Sequence, residues 1–125
     1  MRRFYTSPPD LLNARLRTQA SRHSSRRSIR RTAIASAALA VVHAELILIH
    51  LFRDGNGRCA RVLATLMGLQ AGLPALNFSG VRGEEKRRYI AAVHAAMDRD
   101  YEPMTGVFGR IIARTLRAHA GVRRA

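Results

Sequence analysis

Residues Thr32–His50 and the stretch following Gly57 are two apolar runs with a turn of Asp54-Gly55-Asn56-Gly57 set between them. This arrangement restricts the fold more than any other feature of the chain. The first run carries Ala33, Ile34, Ala37, Ala38, Leu39, Val41, Val42, Leu46, Ile47, Leu48 and Ile49. Its alanine-rich lead-in favours helix over strand. Its length approaches a membrane span, but His43 and Glu45 interrupt it and a charged loop follows directly, so a buried core helix is expected and no membrane association. The second run, Gly57 to about Ala71, has Val62, Leu63, Leu66, Met67 and Leu69 pointing several ways, which predicts a central, buried helix ended by Gly72 and Pro74. A third helix opens at Gly83-Glu84-Glu85, with acids at its positive end, and passes through Tyr89, Ile90, Val93 and Met97. Pro103 marks the first turn of a fourth, with Val107, Phe108, Ile111, Ile112 and Leu116 inward. The expected class is all-α, built on a central helix–loop–helix.

Three segments follow from composition. Residues 1–31 hold nine arginines against one acid, Asp10, so they carry +8 of the formal net charge of +14. Apart from Leu11, Leu12 and Leu16 they lack sustained periodicity, which predicts a basic arm without structure. Residues 32–119 are the expected helical core and residues 120–125 a basic tail. One cysteine excludes an internal disulfide and suits a reducing, cytoplasmic setting. Such a charge attracts polyanions, nucleic acid included, but no base-reading motif accompanies it, so only nonspecific contact is expected.

The chemistry concentrates in His50-Leu51-Phe52-Arg53-Asp54-Gly55-Asn56-Gly57-Arg58-Cys59-Ala60-Arg61. Gly55 and Gly57 let the chain turn tightly and let an anion approach backbone N–H groups. A helix beginning near Gly57 aims its free N–H groups and positive dipole end at that anion. Arg58 and Arg61, three apart, project from neighbouring positions and can grip phosphate oxygens. Asp54 is an oxygen ligand of the kind Mg²⁺ takes alongside substrate phosphates, and His50 can accept a proton near neutral pH. A calcium-loop reading fails, because Arg58 and Thr65 occupy the fifth and twelfth loop positions, where a Ca²⁺ loop uses ligands. Cys59, between the arginines, reads as packing.

The string resembles the Fic family motif H-x-F-x-[D/E]-G-N-G-R-x-x-R at every fixed position, with the resemblance extending over roughly residues 38–116. That resemblance implies a bacterial-type, cytoplasmic protein adenylyltransferase, a nucleotidyltransferase moving AMP from ATP to a Ser, Thr or Tyr hydroxyl of a target protein. It gives His50 the role of catalytic base and Asp54 that of Mg²⁺ ligand. Gly55, Asn56 and Gly57 would line the anion hole, Arg58 and Arg61 would bind the polyphosphate, and Phe52 would anchor the loop in the core. Gly57, where the kinase-like death-on-curing branch carries Lys, argues against that branch. Members usually have upstream helices and a β-hairpin flap, of which residues 1–31 show no sign, as in a truncated member. The inhibitory motif [S/T]-x-x-x-E-[G/N] is also missing, so a toxin module restrained by a separate antitoxin supplying that Glu is one implication. The alternative is an inactive or truncated remnant that binds nucleotide without catalysis.

Overall fold

The computed structural model describes residues 9–124, with side chains described from Asn13 to Arg123. Arg2-Arg3, Pro8, the side chains of Leu11 and Leu12 and the terminal Ala125 therefore lie outside the described residues. The element order is α1 (Pro9–Ile49), α2 (Asn56–Gln70), α3 (Glu84–Met97) and α4 (Glu102–Arg124), with no strand among the described residues. The all-α expectation holds.

The chain divides into two compact units, with the boundary between Arg31 and Thr32. In the first, residues 9–31 are helical where the sequence predicts an arm without structure. Arg, Ala, Leu and Gln are all good helix formers, so local propensity sustains a helix that no apolar periodicity announces. Every side chain from Asn13 to Arg31 is exposed, so this stretch builds no core of its own. At the other end, α4 runs on to Arg124 through the expected basic tail, with Ala118, Ala120 and Arg123 favouring continuation.

The second unit packs its helices through small residues. Leu39, Ala40 and Ala44 of α1, Ala60 and Ala64 of α2, and Ala92 and Ala96 of α3 are buried around Met104, Val107, Phe108, Ile111 and Ile112 of α4. Alanine lets helix backbones approach closely, while α4 supplies the volume that fills the centre. α2 is not buried on the several sides that its large apolar residues predict. Its buried face is Asn56, Ala60, Ala64 and Gly68, whereas Val62, Leu63, Leu66 and Leu69 are exposed. The i, i+4 spacing of the small residues selects one stripe for the core, and the larger apolar residues fall outside it. At the end of α2, Gly72 takes a left-handed φ of 86°, and Leu73 N–H donates to the Gly68 carbonyl at 2.9 Å.

Polar ties join the helices within this unit. Tyr101 donates to the Glu45 carboxylate, Arg110 reaches Glu85 at 3.0 Å, and the Asn77 N–H donates to Thr115 Oγ1 at 2.9 Å. Deepest among the polar groups is His43 of α1, 2% exposed, its Nε2 2.8 Å from the Tyr89 hydroxyl of α3 and its ring edge-on to Phe108. Its Nδ1 has no partner of hydrogen-bonding geometry, although the Ala60 backbone lies near enough to favour the charged ring. Burial, first, and then the positive charge of Arg61 outweigh that and hold the imidazole below its ordinary value of 6.5. α1 also contains a stretch long and apolar enough to cross a membrane by length and composition, a third of it buried in the fold.

A histidine with a lowered folded pKa binds more protons when unfolded, so its stabilising effect is present above about pH 6.5 and declines as pH falls through and below that value. The melting temperature should therefore drop on acidification from neutral pH, and His43→Gln should flatten this dependence. Tyr89→Phe, which strips Nε2 of its partner, should cost about 1–3 kcal/mol at neutral pH. A variant lacking His43 that keeps the full acid-side slope would contradict the assignment.

Candidate nucleotide-phosphate site

The loop between α1 and α2 is closed by one side chain. The Asn56 carboxamide accepts from the Phe52 N–H at 3.0 Å and donates to the Phe52 carbonyl at 2.7 Å. Asn56 is 9% exposed, so both bonds are shielded from water. Upstream, His50 ends α1 in a left-handed conformation, φ 54°, uncommon outside glycine and typical of a residue that stops a helix. Downstream, Gly55 at φ 83° precedes the first turn of α2, and its carbonyl accepts from Cys59 N–H at 3.0 Å.

No side chain caps α2. The N–H groups of Asn56, Gly57 and Arg58 precede the first helical bond and point out of the helix start, where the positive end of the dipole lies. At Gly57 an added Cβ would meet nothing within 4 Å, so packing does not demand glycine there. What glycine gives at that position is unobstructed approach to the backbone.

The cleft in front of this helix start has a volume of about 330 Å³ and is lined by His50, Arg53, Asp54, Gly55, Asn56, Gly57, Arg58 and Arg61. Seven sequence-predicted residues thus converge on one concavity. Arg53 joins them, a third cation that the motif pattern leaves unspecified. Asp54 is 94% exposed, with one oxygen on the Gly55 N–H at 2.7 Å and the other 3.7 Å from Arg58. An ion pair this exposed is worth at most about 1 kcal/mol, so a ligand displaces it at little cost. The Arg61 Nε donates to the Gly57 carbonyl at 3.3 Å, which steers its guanidinium along the helix start.

Two predicted roles change. Phe52 does not anchor the loop in the core: its side chain is 53% exposed, and its backbone, held by Asn56, does the anchoring. The Asn56 side chain is accordingly committed to Phe52, leaving its backbone N–H as its contribution to the anion hole. Cys59 is exposed rather than packed.

A second cavity, about 250 Å³, shares Arg61 and is lined also by His43, Phe78, Val81, Lys86, Tyr89 and Ile111. In sequence His43 is only an interruption of an apolar run and Tyr89 only a helix position, for the two stand 46 residues apart and only the fold joins them with Lys86. Among the described residues no three His, Cys, Asp or Glu side chains cluster as metal ligands. Asp54 fits the simpler donor set of Mg²⁺, in which one carboxylate is completed by phosphate oxygens.

Comparison with known proteins places residues 5–67, half of the chain, on the model of the Fic/DOC family. The match starts within the arginine-rich segment, well before residue 38, where the motif-based resemblance was expected to begin. Similar proteins include "Protein adenylyltransferase fic-1" of Caenorhabditis briggsae and of Caenorhabditis elegans. Each is 38% identical over 64 residues, which is 51% of this chain and 12% of the relative. "Protein adenylyltransferase Fic" of Nematostella vectensis is 32% identical over 80 residues, 64% of this chain and 18% of the relative. The chain thus spans less than a fifth of the length of these curated relatives. No solved structure matches it.

The division of labour in the loop is testable by stability alone. Asn56→Ala should destabilise the ligand-free chain by about 1–3 kcal/mol, because it leaves two shielded backbone groups unpaired. Phe52→Ala should cost less than about 1 kcal/mol, as for other exposed side chains. Denaturant melts that reverse this order would restore the ring as the anchor.

Proposed function

We propose, from the fact that the chain belongs to the Fic/DOC family, that its cleft binds the polyphosphate of ATP and transfers AMP to a hydroxyl side chain of a target protein. The observation that carries this reading is the convergence of His50, Asp54, Arg58 and Arg61 on the uncapped N-terminus of α2. The names of its relatives support the same reaction class.

In this reading the phosphates lie against the N–H groups of Asn56, Gly57 and Arg58, with Arg58 and Arg61 neutralising their charge. Arg61, steered by the Gly57 carbonyl, orients the terminal phosphate. Asp54, whose contact with Arg58 is weak, would hold Mg²⁺, and the ion would supply charge shielding to the phosphates. His50, held at the end of α1, takes the proton of the target Ser, Thr or Tyr hydroxyl. The hydroxyl oxygen bonds to the α-phosphorus as the bond from that phosphorus to the bridging oxygen breaks, and pyrophosphate leaves with the electron pair. The protein's share is positioning and charge neutralisation. Arg53 adds a cation at the rim. Restraint by a carboxylate supplied in trans, as by an antitoxin, would act through Arg61.

Label transfer tests the assignment. Incubation with α-³²P-ATP and Mg²⁺ should label protein, and γ-³²P-ATP should not. His50→Ala should lower transfer by about 10²–10⁴-fold while nucleotide binding persists. Label arriving from the γ position instead would make the reaction a kinase reaction. Transfer by the alanine variant at the parental rate would remove His50 from the chemistry.

A further inference from the structure

Residues 13–31 of α1 carry Arg15, Arg17, Arg22, Arg26, Arg27, Arg30 and Arg31, all exposed, and no acid occurs between Asp10 and Glu45. The adenylyltransferase reading uses none of these arginines. At about 100° per residue they cover some 220° of the helix circumference. The remaining face is Ala14, Thr18, Ser21, Ser25, Ser28 and Ile29, mostly small and hydroxylic with one large apolar residue.

We propose that this stretch of α1 binds the phosphate backbone of duplex DNA, lying in the major groove without reading sequence. Four observations select this partner. Cations over more than half the circumference suit a position flanked by phosphates on both sides, and a helix about 10–12 Å across fits a groove about 12 Å wide. Every cation here is arginine, whose planar fork matches phosphate oxygens, and hydroxyl and amide side chains of the sort that contact phosphates lie between them. An anionic membrane surface would demand an apolar face opposite the charges, and the face present is serine-rich. A single strand would demand stacking platforms, and no aromatic residue lies between Tyr5 and Phe52. The proposal commits these arginines to phosphates, and beside them only Asn13 and Gln19 could read base edges, with no acid present, so affinity should be indifferent to sequence.

The test is fluorescence anisotropy of the full chain with two short duplexes of unrelated sequence, across about 50–200 mM salt. Both duplexes should bind alike, with log K falling against log salt at a slope approaching about −6, as seven neutralised phosphates imply. The quadruple variant Arg15→Gln, Arg22→Gln, Arg26→Gln, Arg30→Gln should make the slope shallower by about 3–4. The same positions changed to Lys should keep the slope, and circular dichroism should show equal helix content in both variants. The control is an equal loss of charge elsewhere, Arg82→Gln, Arg87→Gln, Arg117→Gln, Arg123→Gln. It should change the slope by less than one. Equal effects of the two glutamine variants would mean diffuse attraction by net charge and would overturn the proposal. Tighter binding to phosphatidylserine vesicles or to polyglutamate than to duplex, or a Lys variant that loses the slope, would overturn it too.

Discussion

The Asn56 carboxamide, bonded to both the N–H and the carbonyl of Phe52, controls where one helix stops and the next begins. Because the loop closes on those two atoms, Gly55 is driven into a left-handed turn, and α2 begins with no side chain over its first turn. An uncapped helix start is ordinarily a defect, since its N–H groups lose partners. Here it leaves donors and a positive dipole end facing a cleft whose walls are already cationic. The small residues Ala60, Ala64 and Gly68 then seat α2 against the core, so that Arg58 and Arg61 are carried on a helix rather than on a mobile loop. A site of this kind depends on placement, and the placement derives from a buried amide and a stripe of small side chains.

Electrostatics gives the cleft its preference. Arg53, Arg58 and Arg61 face a single carboxylate, Asp54, within a chain of net charge +14. Such a concavity concentrates anions before any specific bond forms. Arg61 also borders the neighbouring cavity and lowers the proton affinity of His43 through its charge. The buried His43–Tyr89 pair and the candidate cleft therefore share one cation, Arg61.

Much of this was legible in the sequence because it is local. The starts of α2, α3 and α4 follow from the Gly55–Gly57 turn, the Glu84-Glu85 pair and Pro103, and the end of α2 from Gly72, each acting within a turn of itself. The motif residues were legible as a set because their spacing places them on one loop and one helix turn. What escaped were features fixed by distant partners or by weak propensity. His43 and Tyr89 meet only after three helices pack. The choice between alanine and leucine faces of α2 depends on residues distant in sequence, such as Leu76, which closes on Gly68. Phe52 reads as a core residue by type, yet the loop is tied through its backbone, which sequence does not display. Residues 9–31 lack apolar periodicity, and their helix rests on the summed propensity of arginine and alanine.

The central claim is that the motif forms a phosphate cradle rather than a structural turn, and Mg²⁺-ATP-dependent stabilisation measures it most directly. The parent chain should melt at a higher temperature with Mg²⁺-ATP than without, by the mass action of a ligand that binds only the folded form. Arg61→Ala should melt close to the parent without ligand, because its guanidinium has no buried ion-pair partner among the described residues, yet lose most of the ligand-induced rise. A large fall in ligand-free melting temperature with an undiminished rise on adding Mg²⁺-ATP would contradict the account.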